Sequence, residues 1–111
     1  MRSARLSAAV EAASLIRRAE AEGGFAAILR KGDSERGSLI LVIRSRGQHA
    51  ACLERMLSPD GAYRWASAGP DAAAAAEDLA DFLEKRVRFD EDLWLIELDI
   101  AHPERFIAET T

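Results

Sequence analysis

Residues 39 to 43 read Leu39-Ile40-Leu41-Val42-Ile43, five large aliphatic side chains in a row. Successive side chains of a strand point to opposite faces, so a strand built from this run is apolar on both. The run predicts a central strand over residues 38–44, covered on both sides or buried on one side by dimerisation of its sheet. Any fold of this chain has to be built around that segment.

The rest of the chain is large enough to do so. It has 111 residues, 49% of them hydrophobic and 31% charged, which suits one folded domain over residues 1–111 and is too apolar for a disordered chain. Lys+Arg is 15 against Asp+Glu 19, a formal net charge of −4. That balance disfavours non-specific binding to nucleic acid or anionic membrane, although most basic residues precede position 70 and two oppositely charged faces are conceivable. The single cysteine, Cys52, rules out an internal disulfide or a paired-cysteine zinc site and is expected to be a small buried hydrophobe. The basic start Met1-Arg2-Ser3-Ala4-Arg5 has no unbroken apolar region behind it, since Glu11, Arg17 and Arg18 interrupt it. No apolar run approaches the roughly 18 to 20 residues that span a bilayer. The chain is read as cytoplasmic, with no membrane partner.

Leu6, Ala9, Val10, Ala13 and Ile16 recur at spacings of three and four, predicting a first helix over 4–22, capped by Ser3 and stopped by Gly23-Gly24. Four strands are expected next, over 25–30, 38–44, 48–57 and 62–66, separated by turn-forming clusters such as Ser58-Pro59-Asp60-Gly61. A second helix is predicted from about Asp71 to Arg86, opened by an alanine tract and carrying Leu79, Phe82 and Leu83 as its apolar stripe. A last strand covers 93–100, and after Pro103 a half-ordered segment is pinned by Phe106 and Ile107. Short connections make an antiparallel meander the natural arrangement for the four strands. The expected fold class is α+β: helix, four-strand antiparallel meander, helix, strand, as a two-layer sandwich with helices on one sheet face.

No constellation of residues announces catalysis. His49 and His102 are the only histidines, and neither accompanies a serine flanked like a nucleophile elbow. Gly23-Gly24 and Lys31-Gly32-Asp33 are turn chemistry without phosphate-loop spacing, and no cofactor is expected. A metal-dependent hydrolase or nuclease would need at least three of Asp33, Glu54, Asp90, Asp92 and Glu97 to converge on one ion. The contiguous acids Asp90-Glu91-Asp92 cannot all do so. A basic patch of Arg17, Arg18, Arg44 and Arg46 would suit RNA or a small anionic ligand, but solvated ion pairs are the ordinary role of such residues. Trp65, with Tyr63 and Arg64 beside it, is of the residue types favoured at partner surfaces, whereas Trp94 reads as core.

The stretch Leu15-Ile16-Arg17-Arg18-Ala19-Glu20-Ala21-Glu22-Gly23-Gly24-Phe25-Ala26 resembles a small alphaproteobacterial family, domain of unknown function 1491. Lys31-Gly32-Asp33 followed by Gly37, Gly61 with Trp65, and Arg88-Phe89-Asp90-Glu91-Asp92-Leu93-Trp94-Leu95-Ile96-Glu97 extend the resemblance over most of the chain. Glu91 stands where the family commonly has proline. The resemblance implies a cytosolic single domain and carries over no catalytic residue.

The sequence therefore points to a non-catalytic accessory or interaction domain, binding an unknown protein or a second copy of itself through a strand edge or the Trp65 surface. Its candidate surface residues are Arg17, Arg18, Lys31, Asp33, Trp65, Asp92, Trp94 and Glu97.

Overall fold

In a computed structural model, residues 7–110 are described. The elements run α1 (Ala8–Ala21), β1 (Phe25–Arg30), β2 (Leu39–Ser45), β3 (Gln48–Leu57), β4 (Tyr63–Ser67), α2 (Ala76–Phe89), β5 (Trp94–Asp99) and α3 (Pro103–Thr110). The strands form one mixed sheet in the order β1-β5-β2-β3-β4. β5 is antiparallel to β1 and parallel to β2, and the β2-β3 and β3-β4 pairs are antiparallel.

The expected α+β class stands, with five strands and three helices, but the four-strand meander does not. Only β2-β3-β4 meander, and β5 inserts between β1 and β2. The apolar run itself accounts for this. β2 is buried along both faces, a burial met inside a sheet covered by helices above and below, and β5 has the same character in Trp94, Leu95 and Ile96. Placing these two strands side by side concentrates the apolar surface in the middle of the sheet. Reaching β2 from β1 then means crossing the start of β5, a gap of about 10 Å between strands, and residues 31–38 make that crossing. Gly32 and Gly37 lie so close to the Asp92 carbonyl that neither has room for a Cβ, and a Cβ on Gly37 would also sit 2.7 Å from Trp94 Cδ1. The two glycines let the loop pass tightly over the neighbouring strand.

Helices cover both faces, which overturns the two-layer expectation. Leu39, Leu41, Ile43, Ile96 and Leu98 pack on one face with Ala12, Leu15 and Ala19 of α1 and the fully buried Phe106 of α3. Ile40, Val42, Cys52 and Leu95 pack on the other with Leu79, Phe82 and Leu83 of α2. Desolvation raises the Cys52 thiol to about 11, so it is a hydrophobe and not a reactive thiolate.

Three local expectations also change. The cap of α1 is Ser7, whose hydroxyl accepts from Val10 N at 3.3 Å, while Ser3 lies outside the described residues. α2 begins at Ala76 and not at Asp71. The Asp71 carboxylate and carbonyl accept from Ala73 N and Ala74 N at 2.9 and 3.2 Å, and this local turn competes with the helix where the alanines bring no side chain to anchor it. The C-terminal segment is a two-turn helix held by Phe106.

Candidate interaction surface

β1 ends the sheet, and α1 packs against its inner face. Between them runs a shallow groove of about 420 Å³, lined by Ala9, Ala12, Ala13 and Ile16 of α1, Ile28 of β1 and the edge of Trp94, with Arg17 and Lys31 at its rim. Alanine at three of the α1 positions keeps the helix surface low, and the last strand residues of β1 form the opposite wall. Ile28 and Leu29 are each 50% exposed and Phe25 78%. A register shift places a bulge between Ile28 and Arg30. Bulges and flanking cations are the usual devices that keep an edge strand from accepting another strand.

Trp94, 3% exposed, fixes the floor. Its indole Nε1 donates to the Asp33 carbonyl at 2.7 Å and its backbone N to the Ser38 carbonyl at 2.8 Å. Asp33 folds its own loop: its carboxylate accepts from Arg36 N at 2.7 Å and Glu35 N at 3.0 Å. These backbone donors, Arg36 first, lower its pKa below the usual carboxylate value. Asp33 N donates to the Asp92 carbonyl at 3.0 Å, joining the loop to the start of β5.

The other residues singled out in the sequence are spread across both faces. Arg18 is a clamp between helices. Its guanidinium donates to Thr110 Oγ1 at 2.7 Å, the Phe106 carbonyl at 3.0 Å and Glu109 at 3.1 Å, and lies 4.0 Å from the Phe106 ring centroid. Trp65 is half-buried against the α1-side core, paired across the strands with Arg55, which makes an ion pair with Glu11 of α1. Glu97 lies under α2, 2.5 Å from Arg44 Nε. Nearby, Arg86 holds Glu54 through two bonds of 2.6 Å, an interaction that raises the arginine pKa. Asp92 is exposed and serves the loop through its carbonyl.

Of the eight candidates, Arg17, Lys31 and Trp94 meet in the groove, with Asp33 and Asp92 supporting it from behind. Arg18, Trp65 and Glu97 belong to other contacts. The carboxylate alternative loses its geometry: Glu54 and Glu97 are held by arginines, Asp33 by its own loop, and no group of three His, Cys, Asp or Glu able to hold a metal ion gathers among the described residues. The anion-binding alternative disperses too, since Arg17 rims the groove while Arg44 lies on the opposite sheet face. A second cavity of about 410 Å³, at the start of α2, is lined by Arg44, His49 and alanines. Its histidine Nε2 lies 3.0 Å from the Pro70 carbonyl, and because a carbonyl can only accept, Nε2 is the donor and carries the proton there. Among the described residues no helix is long and apolar enough to cross a membrane.

Arg18, Arg44, Arg55, Arg64 and Arg86 all hold carboxylates. Among the described residues Arg17 and Lys31 hold none, and no acid lines the groove between them. What sets the groove's cations apart is the apolar surface they flank, since Arg30, Arg46 and Lys85 also hold no carboxylate among the described residues. The exposure of Phe25, Ile28 and Leu29 was not foreseen from the sequence, which gives residues 25–30 as a strand without saying which face is covered. The bulge that turns Leu29 outward has no signature there.

The family model described as "Protein of unknown function (DUF1491)" matches residues 6–108. The chain belongs to the DUF1491 family. A crystal structure of a DUF1491 family protein from Caulobacter crescentus CB15 is similar at 29% identity and a TM-score of 0.80, covering 92% of this chain and 94% of that one. An NMR structure of a DUF1491 family protein from the same organism gives 30% identity and a TM-score of 0.77, with 94% of each chain covered. A solution structure of an A. tumefaciens protein gives 29% identity and a TM-score of 0.67 over 86% of each chain. No curated protein matches the chain. Membership agrees with the alphaproteobacterial resemblance and brings no activity with it.

Proposed function

We propose that this DUF1491 chain is a non-catalytic interaction domain and that the α1–β1 groove is its working surface. One observation carries the reading: two cations without ion-pair partners, Arg17 and Lys31, flank an apolar groove that no acid lines. A partner that seats an apolar side chain between α1 and Ile28, with carboxylates reaching the two cations, satisfies both properties of the groove. Apolar anchors give such contacts their affinity and charges at the rim give orientation and encounter rate. The bulge at Leu29 favours recognition through side chains over strand addition.

The test is a selection of displayed peptides on the full chain. Selected peptides are expected to share an apolar anchor flanked by Asp or Glu, to shift the amide resonances of Ala13 and Ile28, and to be lost with Lys31→Glu. Selected peptides that bind away from the groove, or a selection that returns none, would sink the reading.

A further inference from the structure

A surface feature with the reverse properties lies on the same molecule. Phe89, the last residue of α2, is 82% exposed, the most exposed large hydrophobic side chain among those described. Asp90, Glu91 and Asp92 follow it. Asp90 is occupied, its carboxylate accepting from Asp92 N at 3.1 Å. The carboxylates of Glu91 and Asp92 are exposed and hold no ion pair among the described residues. The turn is held firmly by its backbone: Arg30 Nη2 donates to the Glu91 carbonyl at 2.7 Å and Asp33 N to that of Asp92 at 3.0 Å. The molecule thus offers an apolar knob with two unpaired acids and, beside it, an apolar groove with two unpaired bases.

Resting on the groove reading above, we propose that the groove's occupant is a second copy of this chain, which inserts Phe89 between α1 and β1 and places Glu91 and Asp92 against Arg17 and Lys31. The two features share one corner of the fold. Gly32, next to Lys31, abuts the Asp92 carbonyl directly. A two-fold axis passing beside that corner lets each copy give its knob and receive the other's, which is the self-complementary arrangement that closes a dimer. It also explains why the knob and groove of one molecule do not neutralise each other: the Arg30 and Asp33 contacts fix the turn's backbone beside the groove instead of letting it fold over into it. Charges of alternating sign at one corner make only the crossed pairing attractive.

Sedimentation equilibrium of the full chain across micromolar to millimolar concentration is the test, with two charge-reversed double variants. The unaltered chain is expected to dimerise, less tightly as salt rises from 0.05 to 0.5 M. Arg17→Glu with Lys31→Glu, and separately Glu91→Lys with Asp92→Lys, should each weaken the dimer by about tenfold or more. Mixed in equal amounts, the two variants should recover a heterodimer, because each groove then meets a knob of opposite charge. Folding of each variant is checked by circular dichroism, and Phe89→Ser provides a second disruption that leaves every charge in place. A monomer at all concentrations overturns the proposal, as does a dimer indifferent to both reversals. A synthetic peptide of residues 87–93 separates the two levels of failure. If the chain stays monomeric and ignores this peptide, yet groove resonances shift with peptides from the selection, self-association is overturned and the interaction reading survives.

Discussion

Under α2, Arg44 and Arg86 lie 2.5 and 2.6 Å from Glu97 and Glu54, whereas at the α1–β1 edge Arg17 and Lys31 stand beside an apolar groove with no acid in it. The first two guanidinium groups are partly withdrawn from water, and such a group replaces the hydration it loses with a carboxylate. The second pair remains hydrated and has no such need. The difference separates charges the fold requires from charges it merely tolerates. Folding explains the position of Arg86; it gives no reason for two unpaired cations to flank Ile28.

The largest effect expected on breaking this contrast lies at the groove's floor. Trp94 sits between the α1-side core and the loop over β5, and its indole supports Asp33. Trp94→Ala should cost about 3–5 kcal/mol, as large-to-small changes of buried aromatics do. Urea denaturation measures it. A loss below about 1 kcal/mol would mean that the loop over residues 31–38 is held by its glycines and backbone bonds, with the indole playing little part.

Next comes the charge beneath α2. Glu54→Ala leaves Arg86 half-buried without its two-bonded partner and should destabilise the protein by about 1–3 kcal/mol. Replacing both residues, with Glu54→Leu and Arg86→Leu, should recover part of that loss, since an apolar pair leaves no charge uncompensated. A double variant less stable than Glu54→Ala would show that this pair contributes net stability beyond satisfying itself.

Much of the scaffold was legible before any geometry. The apolar run of β2 pointed to a central strand, and residues 48–57, whose alanines suit a helix as well as a strand, lie between turn clusters and form β3. The order of strands was not legible, because short connections suggest neighbours and nothing in Lys31 to Ser38 states that the segment bridges a strand instead of forming a hairpin. Its two glycines, Gly32 and Gly37, were the available signal: they are spaced for a close backbone crossing, not for one tight turn. The start of α2 was misplaced for a physical reason also. Alanines have high helix propensity, but from Ala72 to Ala75 they anchor nothing, and Asp71 takes the free amides. At the site, Arg17, Lys31 and Trp94 were recognisable individually. Their meeting depends on β1 being the edge strand beside α1, which is a tertiary fact. Phe25 and Ile28 fell in an expected strand and Phe89 beyond the expected second helix, and sequence does not distinguish an apolar side chain that is buried from one left outside.

The smallest expected effect is the most informative for the comparison. Arg17 and Arg18 are adjacent in α1, and the structure gives them opposite roles. Arg18 ties α1 to α3 through Thr110, Glu109 and the Phe106 carbonyl, so Arg18→Ala should lower stability by about 1–2 kcal/mol and loosen the C-terminal helix. Reversing Arg17 and Lys31 together to glutamate should change stability by no more than about 0.5 kcal/mol, the range of exposed substitutions remote from caps and cores. The reversal does place a negative charge near the C-terminal end of α1, an unfavourable helix-dipole contribution of about 0.3 kcal/mol. A variant that unfolds several degrees lower in thermal denaturation would make the two cations structural. A variant of unchanged stability confines any loss of association to the groove itself, and leaves binding as the remaining reason for unpaired charge at that position.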